Sequence, residues 1–112
     1  MSATASNNCD RYVAEVIRLY RSTPTVVGHV RHADRVLARR FYEQGVPLYV
    51  VHDALVIGAA RRVLHNGFST QMPPVRSLHY FVPIVREVLD RPPGYREIEH
   101  LAKQLRGCRA AW

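Results

Sequence analysis

The chain has 112 residues, 47% of them hydrophobic and 22% charged, which argues against disorder except at the ends and predicts one domain able to build a core without disulfide or metal staples. Sixteen basic residues against nine acidic ones give a formal net charge of +7, which favours polyanionic partners over cationic ones. No apolar run approaches the roughly 18–20 residues of a membrane span, so no membrane segment is expected.

Fifteen of the sixteen basic residues are Arg, with Lys103 the exception. The planar guanidinium fork grips phosphate in a bidentate way, although GC-rich codons alone also raise Arg over Lys. Cys9 and Cys108 lie near opposite ends, and the polar start Met1–Asn8 carries no signal-peptide core. Both thiols are expected to be free, in a cytoplasmic protein.

Residues 1–8 read as a disordered lead-in, 9–107 as a single helical domain and 108–112 as a tail. A first helix is capped by Asn8 or Asp10 and buries Val13, Val16, Ile17 and Tyr20, at the spacing of one helix face. Ser22-Thr23-Pro24-Thr25 ends it. Thr25–Val30, short and β-branched, reads as an extended connector or one short strand, with Gly28 supplying a bend.

A second helix from His32 or Ala33 to Gln44 turns Val36, Leu37 and Phe41 inward and stops at Gly45, a residue type suited to the left-handed position after a helix. Val46-Pro47 opens a third helix that runs to His65 on Leu48, Val51, Leu55, Ala59 and Val63. Its small residues Ala54, Gly58 and Ala59 admit a close neighbour. Asn66-Gly67 marks a stop, and 68–74 a loop.

A fourth helix is expected from Pro74 or Val75, burying Leu78, Phe81, Val82, Val85 and Leu89, with a kink or break near Val82 because Pro83 removes a backbone hydrogen bond. Asp90-Arg91-Pro92-Pro93-Gly94 terminates it. A fifth helix, Tyr95 to Arg106, presents Tyr95, Ile98, Leu101, Ala102 and Leu105 and is stopped by Gly107. The expected fold is all-α, a compact bundle of about five helices.

Two constellations bear on function. Leu37–Ala54 has the outline of a helix-turn-helix, which would aim Leu48, Tyr49, His52 and Asp53 at a groove. Its second helix starts with no Arg, Lys, Asn or Gln to read bases, and an ordinary helical hairpin explains the pattern as well. The second is a stripe of Arg31, Arg35 and Arg39 at i, i+4, i+8, with Arg40 beside it, Arg61 and Arg62 at the end of the next helix, and Arg76 beyond. These seven are the candidate nucleic-acid-binding residues. Arg61 and Arg62 complement a helix C-terminus, whereas Arg31 and Arg35 sit at the unfavourable end of theirs and ask for an anion, either phosphate or an internal carboxylate such as Asp34 or Glu43.

No metal or other cofactor is expected: His29 and His32 flank a helix start, no second ligand cluster matches them, and His52-Asp53 lacks the further ligands of a phosphohydrolase centre. Without a phosphate-binding loop, a nucleophile elbow or a Cys pair, the chain reads as a non-enzyme.

The helix ending in Gly45, the segment VPLYVVHDALVIGAARR and the segment VRSLHYFVPIVREVL, with Tyr80 followed four residues on by Ile84, together resemble the C-terminal helical domain of DnaD-like primosome proteins over Asp34–Leu89. Pro83 departs from that pattern, as does Val88 where the family carries Trp. The resemblance implies DNA binding in replication or in maintenance of a mobile genetic element, with self-association. It also implies DNA contact after the last helix, where Arg96, Lys103, Arg106 and Arg109 stand. The alternative is a helical protein–protein adaptor or oligomerisation module, anchored by Tyr12, Tyr42, Tyr49, Tyr95 or Trp112.

Overall fold

The structure, a computed structural model, describes residues 2–65 and 74–110, with side chains over 8–63 and 74–107. It is an all-α bundle of five helices: α1 (Ser2–Arg21), α2 (His32–Glu43), α3 (Leu48–Ala60), α4 (Val82–Asp90) and α5 (Tyr95–Ala110). A π-helical turn, Arg61–His65, extends α3, and a 3₁₀ turn, Leu78–Phe81, leads into α4. The Asn66-Gly67 stop, most of the loop after it and the anchor Trp112 lie outside the described residues.

Of the five helices, α3 is apolar almost throughout, and a helix of that kind must be enclosed. It packs against α1, α4 and α5. Val50, Val51, Ala54, Leu55 and Ala59 are all buried, and the core that the first four of these form takes in Val16, Ile17 and Tyr20 of α1 and Phe81, Val85 and Val88 beyond. α2 leans mainly on α1. A smaller cluster of Ala59, Ala60, Val63 and Leu105 seats α5 on α3.

The small-residue stripe of α3 does admit a close neighbour. A Cβ on Gly58 would stand 2.6 Å from Phe81 Cε1 and 2.9 Å from Ile84 Cδ1, so the absence of a side chain sets the α3–α4 spacing. Gly45 also behaves as read. It adopts φ +75°, its N–H donates to the Tyr42 carbonyl at 3.0 Å, and the next N–H, of Val46, reaches Phe41 at 2.9 Å. That pair of bonds is the Schellman closure of a helix. Both α2 and α3 pack on α1 and share few contacts with each other.

Some boundaries differ from the sequence reading. α1 runs from Ser2, earlier than the caps Asn8 and Asp10, and α5 continues through Gly107 to Ala110. Val75 is not helical: it forms a single parallel bridge with Val26, in which Val27 N–H donates to Val75 O and Val75 N–H to Thr25 O, each at 2.9 Å. The extended connector is therefore tied to the segment before α4, and Thr25 takes φ +76° to make the turn.

The break near Val82 is real, and Pro83 lies in the first turn of α4, where its missing N–H costs nothing. The tighter 3₁₀ turn upstream changes the helical phase. Ile84, Val85 and Val88 face inward, and Leu89, expected in the core, is 47% exposed. Tyr95, expected on the inner face of α5, is 81% exposed at its first turn. Cys9 is a free thiol packed at the edge of the core. No described helix is long and apolar enough to cross a membrane.

Candidate nucleic-acid interface

The site is built on α2. Its first turn carries Asp34, whose carboxylate suits the positive end of a helix. One oxygen of Asp34 accepts from the Arg31 backbone N–H and the other from the Leu78 backbone N–H, both at 2.9 Å. Asp34 is 1% exposed, so it serves the backbone and is not the counter-ion of the Arg stripe. The same bond draws the segment before α4, with Arg76, to the N-terminal end of α2.

Arg35, Arg39 and Arg40 are exposed on α2, Arg31 is exposed at the residue that caps it, and Arg76 is exposed in the segment before α4. Arg35 faces α1 across a shallow groove lined by Ala14, Ile17, Arg18, Arg21 and Ser22. The groove continues toward Asp10, Val13, His32, Val36 and Arg39. Arg39 lies 3.8 Å from Asp10, with both side chains largely in solvent. Arg18 is paired with Glu15 one turn back on α1, through guanidinium hydrogen bonds that include one of 3.1 Å. That bond holds the Glu15 carboxyl below its usual range and raises the Arg18 guanidinium. Among the described residues, no carboxylate pairs with Arg21 or Arg35.

The remaining two candidates are engaged elsewhere. Arg61, exposed, makes a two-pronged pair with Glu87 of α4, with one bond of 2.9 Å, and this lowers the Glu87 carboxyl below its usual range. Arg62 corrects the sequence reading. The π turn carries it inward, where it is 8% exposed and stands 5.2 Å over the Tyr80 ring, 3.4 Å from the Tyr80 hydroxyl. A guanidinium so enclosed braces the fold and is not available to a phosphate.

Arg18 and Arg21 are not among the seven candidates read from the sequence, since nothing in the spacing of α1 ties them to the arginines of α2. Their spacing of three places them on one face, but only the packing of α1 on α2 sets them opposite Arg35. Of the groups that a helix-turn-helix would aim at a groove, Leu48 packs against the core, His52 Nδ1 lies 3.1 Å from Asp53 Oδ1, and Tyr49 alone stands well exposed, at 65%. Among the described residues no three potential metal ligands cluster. Comparison with known proteins gives no match to a family model, to a curated protein or to a solved structure.

Proposed function

We propose that the protein is a small basic DNA-binding accessory factor, acting in replication or maintenance of a mobile genetic element, as its resemblance to DnaD-like domains implies. The observation that carries this reading is the α1–α2 groove, where Arg21 and Arg35 stand on facing helices and, among the described residues, neither has a carboxylate partner. Arg31 and Arg39 lie one turn to either side of Arg35, about 6 Å away along the axis. Such a face neutralises backbone phosphates and reads little sequence.

The test is fluorescence anisotropy with labelled single- and double-stranded DNA at about 50 and 200 mM salt. Binding should weaken steeply with salt. The Arg21→Ala, Arg35→Ala double variant should bind all sequences more weakly and flatten the duplex salt slope by about 2. Absence of binding by the native chain at the lower salt overturns the reading.

A helical protein–protein adaptor is the second reading, favoured by Tyr95 and Tyr49, the two most exposed large hydrophobic side chains among the described residues. Tyr12 and Tyr42 fit it less well. Tyr12 donates its hydroxyl to the Val46 carbonyl at 2.9 Å and meets Tyr42 edge-on at 5.4 Å. A concentration-dependent mass in light scattering, without any DNA shift, would select this reading.

A further inference from the structure

The end of α1, one face of α3 and the C-terminal half of α5 enclose a cleft of about 220 Å³. Its walls are apolar: Leu19, Leu55, Val56, Ala59, Ala102 and Leu105. The cleft exists because α5 is seated on α3 by a small cluster of its own, while α1 ends at Arg21 and the chain turns away through Ser22, Thr23 and Pro24.

The polar side chains lining this cleft are few, and none of them is a carboxylate. The Ser22 and Thr23 hydroxyls already donate to the Leu19 carbonyl, at 3.0 and 2.7 Å. The two ionisable residues that line it are His52 and Arg106. His52 is oriented by Asp53, which accepts at Nδ1 and is itself mostly shielded, with 17% of its side chain exposed. With Nδ1–H donated to Asp53, Nε2 is left as the ring's acceptor. An apolar cavity with a few convergent polar groups is the usual form of a small-molecule site. Here the Arg106 guanidinium calls for an anion.

We propose that this cleft binds a small monocarboxylate with an apolar body, its tail between α3 and α5 and its carboxylate on Arg106. An apolar cavity of about 150 Å³ holds one benzene ring, so this one suits an aromatic acid or a chain of roughly eight carbons. Burial of the tail supplies affinity, and the guanidinium selects the charged head over a neutral one. This inference stands apart from the DNA reading, which uses the α1–α2 groove.

The test is a ¹H–¹⁵N NMR titration of the full chain with octanoate and, as its uncharged counterpart, octan-1-ol. Octanoate should give saturable shifts concentrated at the amides of Leu55, Val56, Ala59, Ala102 and Leu105, and the alcohol should bind about ten-fold more weakly. Arg106→Gln, at an exposed position, should bring the acid down to the level of the alcohol without changing the alcohol. Ala102→Phe should fill the cleft and abolish both. Scattered or non-saturating shifts, equal affinity for acid and alcohol, or an unchanged preference in Arg106→Gln would each overturn the proposal.

Discussion

The Asp34 carboxylate holds the Leu78 backbone N–H at 2.9 Å across 44 residues of sequence. Its other oxygen holds the backbone N–H of Arg31, the cap residue just before α2, so one buried side chain satisfies donors from two separate segments. Asp34→Ala strands both and should cost about 2–4 kcal/mol in urea unfolding. Asp34→Asn, which retains one acceptor oxygen but turns an amide NH₂ toward the other donor, should fall between the variant and the native chain.

Gly58→Ala should destabilise, although alanine is the better helix former by about 1 kcal/mol. The new methyl group would meet Phe81 and Ile84, and Phe81 is 1% exposed with no room to withdraw. A net loss of about 1–2 kcal/mol is expected from the overpacking. Thermal unfolding of Gly58→Ala with and without Phe81→Leu checks this, since the smaller side chain should recover part of the loss.

Burial pushes the Tyr12 and Tyr20 hydroxyls up to about 12 from 10.0, with the Asp34 carboxylate adding to the effect at Tyr20. A raised folded-state value means that the native chain holds these protons more tightly than the unfolded chain does. The stability they contribute is intact below about pH 10 and is lost as pH rises toward 12. Urea melts at about pH 9 and about pH 11 should show this loss, and Tyr20→Phe should reduce it.

Arg62→Ala should lower stability by about 1–3 kcal/mol, through loss of its stacking on Tyr80 and of its buried aliphatic stem. Arg62→Lys should rescue little, because an ammonium group lacks the flat face that meets the ring. Anisotropy on the folded Arg62→Ala chain should give the native DNA affinity. A loss of affinity without a loss of stability would return Arg62 to the binding surface.

The five helices were legible because their signals are local: the apolar period of α1, Gly45 after α2, the small residues of α3 and Pro83 ahead of α4. Leu89 was misplaced because a 3₁₀ turn upstream changes the register of every later residue, and nothing in the spacing of Leu78 and Phe81 announces that turn. The candidate site was legible only in part. Arg31, Arg35 and Arg39 share a face by arithmetic alone. The fates of Arg61 and Arg62 depend on Glu87 and Tyr80, 26 and 18 residues away, and Asp34 stands among arginines in sequence but beside the amide of Leu78 in space. Arg21 became a candidate only when a second helix was laid against the first.

The seating of α5 has a dynamic consequence. Its contacts run chiefly to α3, through a cluster separate from the main core. Such an element opens in sub-global fluctuations at lower free energy than the whole molecule, so its amides should exchange with solvent well before those of α3. Unfolding should then come in two tiers, α5 lifting first while the main core stays closed.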